Sequence, residues 1–165
     1  MRTIDLFAGV GSFSIQIAKK NDVKIYSFDI NPKAIDYLKN NIELNKLKGK
    51  ILPVLMNVKD LLKNNNERGI KLTNKIDRII MNLPESSLEY INVACHLIKE
   101  KGGIVHIYQF CDKPNSITKA INNLKNKLEE NNWFIQTLTY SKILKHISPK
   151  TDMIVIDAYV KKLIL

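Results

Sequence analysis

Short apolar runs alternate along this chain with segments in which apolar residues recur at three- and four-residue spacing. The runs are typical of buried β-strands, and the spaced segments are typical of amphipathic helices that pack on a sheet. The first strand is predicted to begin at residue 3, and the next four are predicted at 24–29, 51–56, 76–81 and 104–108. This regular alternation predicts an α/β fold in which most strands are parallel.

The remaining segments complete the predicted architecture. The predicted helices are 12–20, a segment opened by Asn31-Pro32 and closed by Lys48-Gly49-Lys50, 86–99 and 116–131. Residues 64–69 are polar and predict a flexible loop. The strands 134–144 and 153–160 have no helix between them, which indicates an antiparallel hairpin at one sheet edge. Residues 1–165 are therefore predicted to form one α/β domain, a doubly wound, mostly parallel seven-stranded sheet with an antiparallel C-terminal hairpin.

The most distinctive stretch is Asp5-Leu6-Phe7-Ala8-Gly9-Val10-Gly11, a strand that turns through two glycines into a helix. Glycines permit a tight turn and let a ligand approach where a Cβ would otherwise stand. Asp29 ends the next strand about 20 residues later, a spacing at which a carboxylate suits the two hydroxyls of a ribose. The stretch predicts a cofactor that contains a nucleoside. The competing interpretation is an ordinary tight turn followed by a capping aspartate.

Polar residues also follow the third and fourth predicted strands. Asn57 comes directly after one of them, and Asn82-Leu83-Pro84 breaks off the other. Ligands of open α/β sheets bind at the carboxyl ends of the strands. We therefore expect both segments to lie at the edge that carries the glycine turn.

Charge narrows the class of partner. The chain of 165 residues has a net charge of +10, and such an excess of basic residues favours a polyanion, with nucleic acid as the first candidate. A general bias of the proteome toward Lys, Ile and Asn is the alternative. The two cysteines and three histidines do not have the spacing of a disulfide framework or a metal site, so no metal is expected. No apolar run approaches the ~20 residues of a membrane span, and we expect a cytoplasmic protein.

Four motifs together resemble class I S-adenosylmethionine-dependent methyltransferases, whose fold is Rossmann-like. They are Asp5-Leu6-Phe7-Ala8-Gly9-Val10-Gly11, Asp29-Ile30-Asn31-Pro32, Asn82-Leu83-Pro84 and His106-Ile107-Tyr108. More narrowly, the chain resembles the archaeal and eukaryotic tRNA (guanine-N1) methyltransferases, which modify the guanosine next to the anticodon, position 37. The resemblance implies S-adenosyl-L-methionine as cofactor and tRNA as partner and substrate.

The resemblance also implies roles for individual residues. Phe7, Ala8, Gly9 and Val10 would line the methionine part of the cofactor site, with Gly11 completing the turn and Asp5 near the cofactor's ammonium group. Asp29 would hold the ribose, Ile30 would pack on the adenine, and Asn57 stands where the family more often has an aspartate. Asn82 and Pro84 would lie beside the sulfonium and the target base, and are the predicted catalytic residues.

One part of the family pattern is not matched. The family places a general base and an arginine upstream of the glycine turn, whereas only Met1-Arg2-Thr3-Ile4 precedes it here. The expectation is therefore a catalytic core without the family's N-terminal RNA-binding region. Glu85 is the one nearby carboxylate considered as a substitute, although an acid that favours a helix start is the commoner explanation.

Two other functions stay open. Wybutosine-pathway relatives transfer the aminocarboxypropyl group of the same cofactor to a tRNA base. They usually carry Glu in place of Asp29 and lack the Asn-Leu-Pro motif. The second alternative is a module that binds cofactor or RNA without catalysis of its own.

Overall fold

A seven-stranded sheet forms the centre of the molecule, with strand order β3-β2-β1-β4-β5-β7-β6. The computed structural model describes residues 1–163. The strands are β1 (Arg2–Asp5), β2 (Lys24–Asp29), β3 (Lys50–Leu55), β4 (Arg78–Met81), β5 (Gly103–Asp112), β6 (Trp133–His146) and β7 (Thr151–Lys162). The helices are α1 (Ser12–Lys20), α2 (Pro32–Glu43), α3 (Glu67–Leu72), α4 (Ile91–Leu97) and α5 (Ser116–Glu129), with 3₁₀ turns at Val58–Leu62 and Ser87–Tyr90.

Strands β1 to β5 are mutually parallel, and β7 lies antiparallel between β5 and β6. The chain proceeds outward from β1 to β3 and then returns to β4 on the other side of β1. Such a reversal opens a crevice at the carboxyl ends of the strands, where doubly wound sheets bind their ligands. The glycine turn after β1 and the loop after β4 therefore share one edge of the sheet.

Helices cover the sheet from both faces, which the two apolar clusters of the interior show. On one face, Ile4 and Ile79 belong to a cluster that includes Ala94 of α4 and Leu124 of α5. On the other face, α1 and α2 pack in a second cluster, whose buried members include Ile15, Ala18, Ile25, Leu38 and Ile51. The doubly wound, mostly parallel sheet with an antiparallel C-terminal hairpin is confirmed.

The first two helices begin where the sequence predicts. Helix α1 covers the predicted residues, and α2 begins after Asn31, whose Oδ1 accepts a hydrogen bond from the Lys33 N–H at 3.0 Å. Helix α2 ends at Glu43, earlier than the predicted glycine stop. The prediction for 86–99 is correct in place but not in form, because the segment divides into a 3₁₀ turn and the shorter α4.

The predicted loop at 64–69 is partly wrong. Asn66 caps α3 by accepting a hydrogen bond from the Gly69 N–H at 2.8 Å, and the helix then continues to Leu72. Gly69 is buried, and a Cβ there would overlap the carbonyl oxygen of Leu61. The glycine that suggests a loop is needed for a close approach between α3 and the preceding 3₁₀ turn. Within residues 1–163, no helix is long and apolar enough to cross a membrane.

Candidate cofactor and active site

The glycine turn after β1 is fixed by backbone hydrogen bonds. The Ala8 N–H donates to the Phe28 carbonyl, and the Gly11 N–H donates to the Ala8 carbonyl, both at 2.8 Å. Both glycines have positive φ, 53° at Gly9 and 91° at Gly11, a region that residues with a Cβ rarely adopt. A Cβ on Gly11 would overlap the Leu38 side chain, so this glycine lets α2 approach the turn. Gly11 therefore shapes the site.

Asp29 joins this turn to the end of β2. Its Oδ2 accepts a hydrogen bond from the Gly9 N–H and its Oδ1 accepts one from the Asn31 N–H, both at 2.8 Å. A carboxylate has about four acceptor positions, so each oxygen can still accept from a further donor. The prediction for Asp29 requires this capacity, because a ribose would present two hydroxyl donors.

A pocket of about 180 Å³ lies beside Asp29. The predicted residues that line it are Phe7, Asp29, Ile30 and Asn57. Leu6 and Leu83, which belong to the predicted motifs but have no predicted role, also line it, and Met56, Val58 and Tyr90, which the sequence analysis missed, complete the lining. The apolar walls and the single carboxylate suit a flat apolar group that carries hydroxyls, which is the chemistry of an adenosine.

Two side chains define the character of this pocket. The rings of Phe7 and Tyr90 meet edge to face with their centroids 4.9 Å apart, which gives the pocket a rigid aromatic wall. Ile30 is 70% exposed, an unusual position for an isoleucine unless a ligand covers it. Nothing in the sequence singles out Tyr90, because its distance from the glycine turn along the chain conceals the contact.

Asn57 lies in the pocket and also caps the 3₁₀ turn that follows β3. Its Oδ1 accepts a hydrogen bond from the Lys59 N–H at 3.0 Å. An amide oxygen has two lone pairs, so a second donor such as an adenine amine can still be accommodated. The predicted contact of Asn57 with a cofactor is compatible with this geometry.

The Asn82-Leu83-Pro84 loop is clamped on two sides. The Leu83 N–H donates to Oγ of the buried Ser87 at 3.1 Å, and this oxygen lies 2.9 Å from the Met81 carbonyl oxygen. The Phe110 N–H of β5 donates to the Pro84 carbonyl at 3.0 Å. These contacts hold the backbone of the loop. The Asn82 side chain makes no hydrogen bond within residues 1–163, so its amide can bind a ligand.

Asp5 is almost completely buried beneath the glycine turn. Its Oδ2 accepts a hydrogen bond from the Ser14 hydroxyl at 3.0 Å, and Ser14 lies 2.7 Å from the hydroxyl of Ser27. Oδ1 has no hydrogen-bond partner within residues 1–163. Burial raises the pKa of Asp5 to about 6, against hydrogen bonds that lower it. An unpaired buried carboxylate oxygen of this kind is suited to a cation.

The predicted site residues therefore fall into three groups. The pocket brings together Phe7, Asp29, Ile30 and Asn57, and the loop of Asn82 and Pro84 adjoins it through Leu83. Asp5 and the turn residues Ala8, Gly9, Val10 and Gly11 do not line the pocket, although the Gly9 N–H donates to Asp29, which does. No group of three or more His, Cys, Asp or Glu side chains within 1–163 has the geometry of a metal site.

Comparison with known proteins decides the family. Residues 2–136 match the model described as the TRM5/TYW2 methyltransferase domain. The chain belongs to this family. It is 38% identical over 159 residues to the tRNA (guanine(37)-N(1))-methyltransferase Trm5b of Methanocaldococcus jannaschii, covering 96% of this chain and 40% of that protein. A tRNA(Phe) (4-demethylwyosine(37)-C(7)) aminocarboxypropyltransferase from the same organism is 29% identical, with 94% of this chain and 58% of that protein covered.

Solved structures place this TRM5/TYW2 domain in the same fold. The M. jannaschii tRNA m1G37 methyltransferase superimposes with a TM-score of 0.75 at 34% identity, over 98% of this chain and 44% of that one. M. jannaschii TYW2 in complex with AdoMet gives a TM-score of 0.84 at 26% identity, over 98% of this chain and 69% of that one. The predicted class I methyltransferase fold is confirmed. The chain spans about two fifths to three fifths of the curated relatives described above.

Proposed function

We propose that this domain binds S-adenosyl-L-methionine at the crevice between β1, β2 and β4 and methylates N1 of guanosine 37 in tRNA. The observation that carries the proposal is the joining of two motifs at one edge. The pocket beside Asp29 and the Asn82-Leu83-Pro84 loop share Leu83 as a wall. The resemblance of this loop to the guanine-N1 enzymes, and the 38% identity to one of them, favour this reaction.

The residues present fit this cofactor. Asp29 retains acceptor positions for the ribose hydroxyls, and the aromatic and aliphatic pocket walls suit an adenine. Asp5 lies buried beneath the glycine turn, and its carboxylate would supply negative charge close to an α-ammonium group. Gly9 leaves open space where a Cβ would stand, judged within the described residues, so its backbone can approach a ligand closely.

The chemistry requires mainly orientation from this chain. When bound, the cofactor's sulfonium supplies an activated methyl group. The clamped loop would hold Asn82 at the target base, where its amide can hydrogen-bond to the guanine edge. Guanine N1 carries a proton at neutral pH, so the reaction also needs a proton acceptor. Glu85, which follows the loop, is exposed and is the candidate that this chain offers.

Product analysis tests the proposal. The chain is incubated with labelled cofactor and an unmodified tRNA transcript bearing guanosine 37, and with a control transcript bearing adenosine 37. A hybrid in which this chain replaces the matching segment of the M. jannaschii relative is assayed in parallel. We expect label in the guanosine transcript and a methyl mass increment on N1. Absence of label with both proteins contradicts the proposal.

The second candidate is aminocarboxypropyl transfer, because the aminocarboxypropyltransferase of M. jannaschii is also similar in sequence. Its product would be heavier than a methylated base, so the same mass measurement separates the two reactions. Calorimetry that shows cofactor binding, together with no product of either mass, would favour the binding-module alternative.

Basic residues at the same edge support tRNA as the partner. The exposed residues Lys145, His146 and Lys150 lie at the turn between β6 and β7, and Lys113 follows β5. The Lys113 N–H donates to the Lys150 carbonyl at 2.8 Å, which joins the two segments. Phosphate contacts from such residues position an RNA without reading its sequence.

A further inference from the structure

A buried carboxylate organises part of this basic edge. Asp152, at the start of β7, is 2% exposed and is contacted by donors from three segments. Its Oδ2 accepts a hydrogen bond from the Ser116 hydroxyl at 2.7 Å, and its Oδ1 accepts from His146 Nδ1 at 2.6 Å. Lys113 Nζ lies 3.3 Å from the same Oδ1. We refer to these four residues as the Asp152 cluster.

The cluster joins the side chains of three segments whose backbones already lie close together through the β6–β7 pairing and the Lys113–Lys150 hydrogen bond. Ser116 begins α5, His146 ends β6, and Lys113 lies between β5 and α5. Burial raises the pKa of Asp152, but the hydrogen bonds from Ser116, His146 and Lys113 outweigh it and hold the pKa below its ordinary value. The carboxylate is therefore charged at neutral pH and fixes both basic side chains.

The cluster lies on the edge of the sheet that carries the candidate active site. Asp152 is paired with Cys111 near the carboxyl end of β5, and β5 runs parallel to β4. One residue earlier on β5, the Phe110 N–H holds the Pro84 carbonyl. The backbone of β5 thus connects the Asn82-Leu83-Pro84 loop to the segment that bears Lys113.

The outward side of the cluster is basic. The His146 side chain is 68% exposed, and with Nδ1 directed at Asp152 its Nε2 is the ring nitrogen left for a ligand. The Lys113 side chain is 34% exposed, and an ammonium group has three donors, of which Asp152 occupies one. The Asp152 side chain itself is 3% exposed, so a ligand would meet Lys113 and His146 and not the carboxylate.

We propose that Asp152 is a positioning residue that holds Lys113 and His146 as a binding site for phosphates of the RNA. The inference rests on the proposed function, since it takes RNA as the substrate. Two hydrogen-bond donors held by a fixed carboxylate lose less conformational freedom when a phosphate binds than two mobile side chains would lose. The site would thereby orient the RNA backbone beside the Asn82-Leu83-Pro84 loop.

Charge alone and positioning predict opposite effects for Asp152→Asn. The substitution removes a negative charge from a basic surface, which by itself strengthens attraction to RNA. If Asp152 positions Lys113 and His146, the same substitution weakens the binding of RNA. Asp112→Asn is the matched control, because Asp112 ends β5 on this edge and is exposed. Its Oδ1 accepts from the Thr151 hydroxyl at 3.1 Å and contacts neither Lys113 nor His146.

The experiment measures the dissociation constant of the unmodified tRNA transcript at several salt concentrations. For Asp152→Asn we expect binding weaker by about tenfold and a salt slope smaller by about one, near the value for loss of one or two phosphate contacts. The double variant Lys113→Ala/His146→Ala should lose a similar amount. Addition of Asp152→Asn to that double variant should cause little further loss, because the three residues act as one unit. Asp112→Asn should bind as tightly as the unchanged chain or more tightly.

Cofactor affinity and the unfolding midpoint, measured on the same samples, report whether the fold is retained. If Asp152→Asn is unfolded, the test rests on the double variant Lys113→Ala/His146→Ala. An unchanged tRNA affinity of that variant overturns the inference. Tighter tRNA binding by a folded Asp152→Asn overturns it too. Methylation by the unchanged chain together with either result leaves the proposed function standing. If the unchanged chain binds no tRNA, the inference fails, and the labelling assay of the chain and the hybrid decides the proposed function separately.

Discussion

Asp29 is the residue on which the cofactor site depends most directly. Its two carboxylate oxygens each accept a backbone N–H, one from the glycine turn and one from the start of α2. In the proposed cofactor complex, the same oxygens would also accept the ribose hydroxyls. One side chain thus fixes the shape of the candidate site and, under the proposed function, would also bind the nucleoside.

Asp29→Asn should lower both the stability of the fold and the affinity for the cofactor. An amide has one acceptor oxygen, so its NH₂ group would face either the Gly9 or the Asn31 N–H, and a donor would lose its partner. We expect cofactor affinity to fall by at least tenfold and the free energy of unfolding to fall by about 1–3 kcal/mol. Calorimetry and denaturant unfolding measure the two effects. Asp36→Asn, an exposed site on α2, is the control, and equal cofactor affinity in the two variants would contradict the role of Asp29.

Ionised Asp5 is expected to lower the free energy of unfolding and, under the proposed function, to favour binding of the cofactor. Burial raises its pKa from 3.8 to about 6, so the folded state holds a proton that the unfolded state has released between these values. The contribution of Asp5 to stability is therefore fully favourable below about pH 4, declines as pH rises to about 6, and is constant above. An ammonium group of the cofactor, in contrast, prefers the ionised form.

Asp5→Asn separates these effects. At pH 8 the variant should be more stable than the parent by about 1 kcal/mol, since it avoids the buried charge but leaves a buried amide donor without a partner. Its affinity for S-adenosyl-L-methionine should be lower. The parent's cofactor affinity should rise between pH 5 and 7 more steeply than the variant's, by an amount that titration calorimetry measures. Parallel pH profiles for the two proteins would show that Asp5 does not sense the cofactor's charge.

At the scale of elements, the loop after β4 is held by its neighbours more than by its own sequence. Ser87 accepts from the Leu83 N–H on one side, and β5 binds the Pro84 carbonyl on the other. Ser87→Ala should leave the Leu83 N–H and the Met81 carbonyl without the Ser87 hydroxyl as a partner. The mobility of Asn82 should therefore increase. We expect the turnover rate on tRNA to fall about tenfold and cofactor affinity to fall much less, because Leu83, which Ser87 holds, is one of nine residues that line the pocket.

The measurement for Ser87→Ala is kcat on tRNA together with cofactor affinity. Ser86→Ala is the neighbouring control, since the Ser86 side chain makes no cap hydrogen bond. A loss of cofactor affinity as large as the loss of kcat would mean that Ser87 supports the whole crevice and not the loop.

Sequence patterns predict most strands because a strand buried on both faces is apolar throughout. They fail where an element depends on distant partners. Strand β5 extends to Asp112 because β7 pairs with it along its full length, which the polar residues after Tyr108 do not suggest. Helix α3 is concealed by Asn-rich sequence and a glycine whose purpose is a backbone contact.

The candidate site shows the same division. The glycine turn, Asp29 and the loop of Asn82 are found from the sequence because each motif is local and follows a strand. Tyr90 is missed because its contact with Phe7 joins residues that are far apart in the chain. Ser87 is missed although it lies only four residues from Leu83, because no sequence motif marks its hydroxyl as the acceptor for the Leu83 N–H. Of the two clamps on the loop, the one from Phe110 to Pro84 is the long-range contact that spacing along the chain cannot reveal.

At the scale of the molecule, the net charge of +10 matters through its distribution. Lys145 and Lys150 lie at the edge of the sheet that holds the crevice, at the turn between β6 and β7. Lys46 and Lys48 precede β3 and so lie at the opposite edge, where parallel strands begin. All four side chains are exposed. If only the electrostatic field of the whole molecule attracts tRNA, the two lysine pairs contribute equally to tRNA affinity. If tRNA binds a surface at the crevice, Lys145 and Lys150 contribute more.

Charge reversal distinguishes these cases. Lys145→Glu/Lys150→Glu and Lys46→Glu/Lys48→Glu lower the net charge equally. We expect the first variant to bind tRNA at least tenfold more weakly at low salt, with a smaller salt slope, because phosphate contacts are lost. The second should bind within a factor of about three of the parent, since distant exposed charges are screened. Cofactor affinity should be unchanged in both, and similar losses of tRNA affinity in the two variants would mean that the basic charge acts without a defined surface.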